Sequence, residues 1–409
     1  MNATIRQASP ACRIRSSSIQ SALTLLAALV FSGCASAPDR APDPAIPFSV
    51  EEELFDREQP DTLGLPPAPG AETVTVYRAE ENSYQYNHGA VLTVFQGRLY
   101  VQWQSSIQDE DAPETEVRYA TSDTGERWSD PAVLAEPRPE AVVTNGGWWT
   151  DGDTLVAYLN VWPKELEPRG GHVEYVTSQD GQHWSEPRRV TTASGAALDG
   201  IIEQDVRRLD DKRLLTAVHV QPGLIAKPYH TDDPSGLSGW TPGEMPNLEH
   251  KPEMSRELEP SWFIREDGAV VMTFRDQAGS FRVLASVSHD RGETWSQPVI
   301  TGLHDSRSKQ SAGNLPDGTA FIVNNPSGSK TRIPLAITTS ENGHAFDRAY
   351  RVRAGGSDLQ PQRFNGRYKR AGYSYPKSYV GDRYLYITYA TNKEDIELTR
   401  IPLSALERR

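Results

Sequence analysis

The residues of this sequence that could do chemistry stand singly beside predicted strands, not in one compact motif. His88 stands at the start of a strand, Glu259 before another, and Arg275 at the end of a third. Histidine and glutamate can exchange protons, and arginine binds carboxylates through two parallel hydrogen bonds. The nine histidines lack the close His, Cys and Asp spacing of zinc sites, and no glycine-rich phosphate loop occurs. The sequence therefore predicts a site without metal or cofactor, assembled by the fold from distant residues.

An internal repeat indicates how those residues are positioned. Residues 288–295 read SHDRGETW and are followed by Ser-Gln-Pro. Similar segments occur at 121–128, at 177–184 with Gln179 at the Asp position, and at 339–346 with Glu341 there, and a degenerate copy ends at Trp240. The closing aromatic residues stand at positions 128, 184, 240, 295 and 346. Regular spacing of roughly 50 residues is typical of propellers with one four-stranded blade per repeat.

These segments resemble the Asp-box of sialidases and other BNR-repeat proteins, and the resemblance covers roughly residues 72–406. It implies an all-β fold, a six-bladed β-propeller with five boxed units and one C-terminal unit without a box. In this family the box is the turn between the third and fourth strands of a blade, away from the active site. The boxes are therefore expected to be structural. Residues 73–77 are expected to supply the outer strand that closes the last blade.

The resemblance also implies catalytic roles for residues between the boxes. Glu259 resembles the glutamate that activates the nucleophile, and Tyr373 lies in the segment that carries the tyrosine nucleophile. Asp111 lies, with Asp109 and Glu110, in the first-blade loop that supplies the acid/base aspartate. A neutral tyrosine suits a sialic acid because the anomeric carbon of that sugar carries a carboxylate, which would repel an anionic nucleophile.

Arg275 and Arg332 resemble the second and third arginines with which sialidases bind the substrate carboxylate. Lys309 and its neighbour Gln310 open the fifth inner strand and are further candidates for substrate binding. Structural roles stay open for some of these residues. Arg275 could pair with an adjacent acidic residue, and Tyr373 lies in an aromatic-rich stretch that could belong to the core.

The first blade departs from the sialidase pattern. Where the family has its first arginine, this chain has Asn87 and His88, and both are candidates for the site. His88 resembles a histidine that acts as base or acid in propeller lyases cleaving at uronate sugars. Those lyases usually have a second histidine in this blade and a tyrosine in place of Glu259, which this chain lacks. His219, near the end of a third-blade strand, could supply a second imidazole and bind substrate.

Three functions are compatible with these residues. The first is a sialidase-like exo-glycoside hydrolase that acts on a terminal acidic sugar of a glycan. The second is a polysaccharide lyase that cleaves at a uronic acid with His88 as base. The third is a glycan-binding propeller without catalysis, because one fold hosts many functions.

The first 33 residues are typical of an export signal. A basic stretch and an apolar run at 22–31 precede Phe31-Ser32-Gly33-Cys34, which resembles a bacterial lipobox. The apolar run is too short to span a bilayer comfortably. We therefore predict a lipoprotein signal peptide at 1–33, a disordered tether rich in Pro, Ala and Asp at 34–70, and the propeller at 71–409. Ordinary signal cleavage near residues 35–37 is the alternative.

The net charge of −13 disfavours nucleic-acid partners and electrostatic docking on anionic lipid. The expected partners are a glycan substrate and, through Cys34 only, a membrane. A monomer in the bacterial cell envelope is expected. Ala35 after the cysteine favours the outer membrane in the usual bacterial sorting scheme.

Replacing the lipidated cysteine tests this anchor. We expect Cys34→Ser to move the protein from the membrane fraction to the soluble fraction, because the lipid chain is the only predicted membrane contact. Fractionation followed by immunoblotting measures this. Continued pelleting of a folded variant with membranes would contradict the lipobox interpretation.

Overall fold

Six antiparallel sheets follow one another along the chain in the computed structural model, which describes residues 46–210 and 212–407. The strands are β1 (Ser49–Val50), β2 (Glu72–Tyr77), β3 (Tyr86–Phe95), β4 (Arg98–Ser106), β5 (Glu116–Ser122), β6 (Ala132–Ala135), β7 (Ala141–Asp151), β8 (Thr154–Pro163), β9 (His172–Ser178), β10 (Arg188–Arg189), β11 (Gly200–Ile202), β12 (Arg207–Arg208), β13 (Leu214–Val220), β14 (Ile225–Thr231), β15 (Thr241–Pro242), β16 (Glu257–Ile264), β17 (Val270–Asp276), β18 (Arg282–Ser288), β19 (Val299–His304), β20 (Ser311–Asn314), β21 (Ala320–Asn324), β22 (Leu335–Ser340), β23 (Ala345–Phe346), β24 (Arg348–Arg353), β25 (Tyr373–Val380), β26 (Tyr384–Thr391) and β27 (Asp395–Pro402). Three short 3-10 helices span Glu52–Leu54, Gly356–Asp358 and Leu403–Ala405.

Each sheet is one blade of a propeller. The blades are β3-β4-β5-β6, β7-β8-β9-β10, β11-β13-β14-β15 with β12 on β13, β16-β17-β18-β19, β20-β21-β22-β24, and β25-β26-β27-β2. The predicted all-β six-bladed propeller is confirmed. The N-terminal strand β2 pairs with β27 and closes the sixth blade, as expected for residues 73–77. Ring closure of this kind leaves few exposed strand edges.

The hydrophobic core lies between neighbouring blades. One cluster joins the first two blades through residues such as Val91, Tyr100 and Leu155, and another joins the sixth and first blades through Leu398 and Trp103. Because each blade buries both faces against its neighbours, the inner strands β3, β7, β11, β16, β20 and β25 are fixed around the channel. This packing positions the polar residues at their ends.

The box turns are stabilised by hydrogen bonds from backbone amides to a serine. In the fourth blade the Gly292 amide donates to Ser288 Oγ at 2.9 Å, and Trp295 Nε1 donates to the Gly292 carbonyl at 3.0 Å. Asp290 accepts from the Thr294 amide at 2.8 Å. The expected turn-stabilising role of the box residues is therefore visible in the contacts of this copy.

Three copies of the box differ from the predicted alignment by one residue. The serine that accepts a hydrogen bond from the glycine amide is Ser178 in the second blade and Ser340 in the fifth. Asp180 and Asn342, not Gln179 and Glu341, accept the following amides. The first blade likewise uses the serine at position 122. These turns have one residue fewer between serine and glycine than the turn of the fourth blade. The predicted alignment superposed the closing aromatic residues, so it did not show this difference in length.

Truncating the box aspartate should affect stability and not turnover. Asp290→Ala removes the acceptor for the Thr294 amide and hydroxyl, so we expect the free energy of unfolding to fall by roughly 1–3 kcal/mol. Denaturant titration measures this loss, and kinetics well below the melting temperature should match wild type. A large fall in turnover with unchanged stability would contradict the structural role.

The predicted tether ends earlier than position 70. Residues 46–70 contain β1, which pairs in parallel with β23, and Phe48 is buried against Phe263 and Phe346. Leu63 and Leu65 are buried against the fifth blade. These apolar residues are spaced irregularly, so they gave no periodic signal, yet each fills a gap on the propeller surface. Cys34, the signal 1–33 and the tether up to residue 45 lie outside the described residues. No helix in the described part of the chain is long and apolar enough to cross a bilayer.

Candidate active site

A cavity of about 340 Å³ opens at the channel mouth where the inner strands begin. All six blades contribute to its lining, which includes His88, Asn145, Glu203, His219, Glu259, Arg275, Lys309 and Tyr375. The box turns follow the third strand of each blade. Since strands alternate in direction, the third strand ends at the opposite mouth from the start of the first strand. The box turns therefore lie at the opposite mouth from the cavity, and the cavity residues do not stabilise them.

Tyr375, Glu259 and Arg275 form a hydrogen-bonded triad in this cavity. The Tyr375 hydroxyl donates to Glu259 Oε1 in a short hydrogen bond. Arg275 Nη1 lies 3.0 Å from both carboxylate oxygens of Glu259 and 3.2 Å from the Tyr375 hydroxyl oxygen. Arg275 Nη2 donates to Gln277 Oε1 at 2.7 Å, which fixes the plane of the guanidinium. The triad therefore joins a hydroxyl, a carboxylate and a cation at one point.

Irregular backbone turns two of these side chains towards the channel. Glu259 and Tyr375 have positive φ angles of 54° and 55°, and the strand register shifts at both places. Non-glycine residues rarely adopt this conformation, and such strain is concentrated at functional sites. Bulges of this kind re-aim a side chain that regular pleating would place elsewhere. The register of β3 shifts in the same way next to His88, where Gly89 has φ 69°.

The triad keeps Tyr375 protonated in the free protein. Desolvation and then the negative charge of Glu259 raise the pKa of Tyr375 well above its usual value, although Arg275 and Arg332 act in the opposite direction. For Arg275, burial favours the neutral form, but Glu259 and Tyr375 more than offset it and raise its pKa. A neutral phenol donating to a carboxylate is arranged to lose its proton to that carboxylate when it attacks an electrophile.

Further cations surround the tyrosine. The Arg332 guanidinium lies 5.3 Å from the Tyr375 ring centroid and donates to Ser374 Oγ at 2.7 Å. The Lys309 ammonium also lies 5.3 Å from that centroid. With Arg275, three positive groups from the fourth and fifth blades lie near Tyr375, and of these Arg275 and Lys309 line the cavity, whereas Arg332 does not. These cations can contact an anionic ligand beside Tyr375, although five carboxylates also line the cavity.

His88 packs against the same tyrosine. The two ring centroids are 4.1 Å apart, and neither imidazole nitrogen of His88 has a hydrogen-bond partner among the described residues. Burial and then the positive charges of Lys393, Arg332 and Lys309 hold the pKa of His88 well below its usual value. The ring is therefore neutral at pH 7, and one nitrogen is available as an acceptor or a base.

Glu203 connects two other predicted site residues. Its carboxylate accepts a hydrogen bond from Lys309 Nζ at 2.7 Å, and its other oxygen lies 2.8 Å from His219 Nδ1. Lys309 also donates to Gln204 Oε1 at 2.8 Å. Burial alone would raise the pKa of Glu203, but Lys309 and His219 more than offset it and hold it well below its usual value. Lys309 and His219 are thus brought together by a glutamate that sequence reasoning missed.

The first-blade acidic loop reaches the rim of the cavity. Asp111 and Glu110 line it, whereas Asp109 accepts from the Arg367 amide at 2.7 Å and does not. Asp111 accepts from Arg169 at 2.8 Å and Glu110 from Lys393 at 2.6 Å. Both carboxylates that reach the cavity therefore have a cationic partner.

Three predicted site residues, Tyr373, Asn87 and Arg332, do not line the cavity. The Tyr373 side chain is fully buried, and its hydroxyl donates to the Ala354 carbonyl at 2.8 Å. The predicted pairing of Tyr373 with Glu259 is therefore wrong, because the hydroxyl beside Glu259 belongs to Tyr375. Asn87 does not line the cavity.

The polar atoms of Asn87 are committed to the protein. Its amide nitrogen donates to the Tyr84 and Glu394 carbonyls, and its oxygen accepts from Trp103 and Ser105. This side chain ties the first blade to the sixth, so its predicted substrate contact is wrong in this structure. Gln310 is buried and also does not line the cavity.

Sequence reasoning could have found some of the residues it missed. Glu203 and Gln204 directly follow a short apolar strand at 200–202, and a place at the end of a strand is also what made Arg275 a candidate. Lys393 follows the end of β26 and is visible only through its contact with Glu110. Among the described residues, no group of three or more His, Cys, Asp or Glu side chains is placed to hold a metal ion.

Comparison with known families identifies the repeat. Residues 97–387 match the BNR repeat-like domain. The chain belongs to this family. No curated protein matches the sequence significantly. The predicted resemblance of the repeats to those of BNR-repeat proteins is confirmed by this match.

Solved structures similar to the BNR repeat-like propeller include several sialidases. One described only as a sialidase has 21% identity and a TM-score of 0.62, and the match covers 87% of this chain but only 35% of that one. A Hadza microbial sialidase has 15% identity and a TM-score of 0.64, covering 81% of this chain and 69% of that one. The Trypanosoma rangeli sialidase in complex with sialic acid has 14% identity and a TM-score of 0.57, covering 83% and 60%. At these identities the likeness establishes the fold.

Proposed function

We propose that the protein is a sialidase-like exo-glycoside hydrolase that removes a terminal acidic sugar from a glycan. The observation that carries the proposal is the Tyr375 hydroxyl donating to Glu259 while Arg275 contacts both groups. Hydrolases that act on sialic acids are the exception to the two-carboxylate scheme because they use a tyrosine nucleophile. The triad has the components which that exception requires.

In this proposal the triad and two neighbouring cations have separate roles. Glu259 takes the proton of Tyr375 as the phenol oxygen attacks the anomeric carbon, which activates a nucleophile that is weak when protonated. Arg275 and Arg332 bind the carboxylate of the sugar, and Lys309 adds a third positive charge beside the Tyr375 ring. In this proposal Lys309 of the fifth blade supplies the positive charge that the missing first-blade arginine would supply in a sialidase.

A substrate screen tests the proposal. The purified full chain is incubated with sialosides and with uronate-bearing glycans, and released sugar and ultraviolet absorbance are followed together. Hydrolysis predicts free acidic sugar without new absorbance. Release of unsaturated, absorbing product would favour elimination, and tight binding without turnover would favour a glycan-binding propeller.

A second candidate, a polysaccharide lyase cleaving at a uronic acid, is supported by His88. Its imidazole is neutral, has both nitrogens unpartnered among the described residues, and touches Tyr375. A base next to a carboxylate bound by Arg275 could remove the adjacent proton, with the leaving oxygen protonated by the tyrosine. Elimination leaves a conjugated double bond that absorbs in the ultraviolet.

His88→Ala separates the two candidates. If hydrolysis is correct, we expect a raised KM with little change in kcat, because His88 only contacts the nucleophile's ring. Under elimination kcat would fall by roughly 10²–10⁴-fold, the usual contribution of a positioned base. Steady-state kinetics on the substrate found in the screen measures the difference.

We also propose that this hydrolase is a monomeric lipoprotein of the bacterial cell envelope that meets its glycan at the outer membrane. The supporting observation is the lipobox-like segment ending at Cys34.

A further inference from the structure

The cavity contains two histidines with opposite surroundings. His88 and His219 are both 2% exposed and both line the cavity. The charges near His88 are positive and come from Lys393, Arg332 and Lys309. Adding a proton to this ring would place a fourth cation among them, so His88 is a poor proton donor.

His219 instead has a carboxylate behind it. Glu203 Oε1 lies 2.8 Å from His219 Nδ1, on the side of the ring away from the free Nε2. Neither ring nitrogen of His219 makes a hydrogen bond among the described residues, so Nδ1 meets the Glu203 carboxylate at ion-pair distance only, and Nε2 is free. A carboxylate at Nδ1 fixes the orientation of an imidazole and stabilises the imidazolium that forms when Nε2 takes a proton. Glu203 can play this part because it stays ionised.

The acidic residues at the rim are less suited to donate a proton. Asp111 is ion-paired with Arg169 at 2.8 Å, and Glu110 with Lys393 at 2.6 Å. Neither carboxylate can therefore turn towards a leaving group without breaking its ion pair.

Lys309 places the histidine pair close to the nucleophile. Its Nζ lies 2.7 Å from Glu203 Oε2 and 5.3 Å from the Tyr375 ring centroid. Lys309 therefore contacts the pair of Glu203 and His219 through Glu203 and also lies near the Tyr375 ring. His219 and Tyr375 line the same cavity, so a bound glycan has access to both groups.

We infer that His219, oriented by Glu203, is the acid/base residue of the proposed hydrolysis, an inference that rests on the proposed function. As the Tyr375 oxygen bonds to the anomeric carbon, its proton passes to Glu259 and the bond to the leaving oxygen breaks. His219 enters this step as the imidazolium and gives that oxygen its Nε2 proton. Water then attacks the anomeric carbon and gives a proton to His219. The bond to Tyr375 breaks, and Glu259 returns the proton to the phenol oxygen.

Leaving-group dependence tests this role. Two probes share one acidic sugar and differ in the leaving group. Cleavage of 3′-sialyllactose releases lactose, an alcohol that needs a proton, whereas cleavage of 4-methylumbelliferyl α-sialoside releases a stabilised phenolate. We expect His219→Asn in the full chain to lower kcat/KM for 3′-sialyllactose by roughly 10²–10⁴-fold. On the aryl sialoside the loss should be at least about tenfold smaller, because the proton contributes less there. Glu203→Gln, a change in the positioning residue, should show the same preference with smaller losses.

Matched variants distinguish the outcomes. His230→Asn alters a buried histidine of the same blade that does not line the cavity, and should leave both rates unchanged. Equal losses on both probes in folded His219→Asn and Glu203→Gln would overturn the inference but not the proposed function, provided that Tyr375→Phe is inactive. A leaving-group-dependent loss in Asp111→Asn, and not in His219→Asn, would assign the proton to Asp111. A wild-type protein inactive on both probes would overturn the proposed function for sialosides and this inference with it.

Discussion

Tyr375→Phe should abolish turnover, whereas Tyr373→Phe should leave it nearly unchanged. The first change removes the hydroxyl that donates to Glu259 and contacts Arg275, and with it the nucleophile. Loss of a nucleophile costs other hydrolases roughly 10⁴-fold or more in kcat. The second change removes a hydroxyl whose partner is the Ala354 carbonyl, outside the cavity. Steady-state kinetics on the substrate found in the screen measures both.

The two tyrosines make a close control because they have the same side chain two positions apart. Tyr373→Phe leaves the partly buried Ala354 carbonyl without its donor, so a stability loss of about 1 kcal/mol is expected without a catalytic defect. A folded Tyr375→Phe with wild-type kcat would contradict the proposed nucleophile. An inactive but folded Tyr373→Phe would return the role to the residue that sequence reasoning selected.

Arg275→Lys should be the second most damaging substitution. Lysine keeps the charge, but a point charge cannot contact Glu259, Tyr375 and Gln277 together as the planar guanidinium does. We expect kcat/KM to fall by roughly 10²–10³-fold, the range for losing one well-placed donor in an active site. Both the carboxylate of the substrate and the orientation of Glu259 depend on this residue.

Arg256→Lys supplies the matched control for that substitution. Arg256 lies in the same blade and makes two hydrogen bonds to Asp276, at 3.0 and 2.7 Å, but does not line the cavity. Its replacement should lower stability and spare kcat/KM measured below the melting temperature. Equal kinetic losses in Arg256→Lys and Arg275→Lys would mean that the Arg275 effect is structural.

Much of the fold could be predicted because each repeat contains the residues that its own turn needs. A box holds a serine, a glycine and an aromatic residue at nearly fixed spacing, since each turn must satisfy the same backbone amides. Four such turns and one degenerate copy at regular spacing give five blades, and the strands that follow the last box give the sixth. The offset of the boxes in three blades arose because these turns are one residue shorter, which the closing aromatic residue does not reveal.

The sequence predicted which strand ends supply the site, but not which of two neighbouring tyrosines faces it. Arg275 stands at the end of the regular strand β17 and faces the cavity as expected. Tyr373 and Tyr375 would face the same side of a regular strand, so sequence reasoning had no means to separate them. The bulge at Tyr375, with φ 55°, gives them different surroundings. Glu203 was missed because its partners, Lys309 and His219, come from two other stretches of the chain.

Trapping a covalent intermediate tests the central claim most directly. A sialyl fluoride with a second fluorine beside the anomeric carbon slows breakdown of a glycosyl-enzyme, so that the adduct can be found by peptide mass spectrometry. We predict one sialyl unit, less its leaving fluoride, on the Tyr375 hydroxyl, and no adduct in Tyr375→Phe. An active protein that turns over sialosides yet carries the adduct on another residue, or on none, would contradict the account.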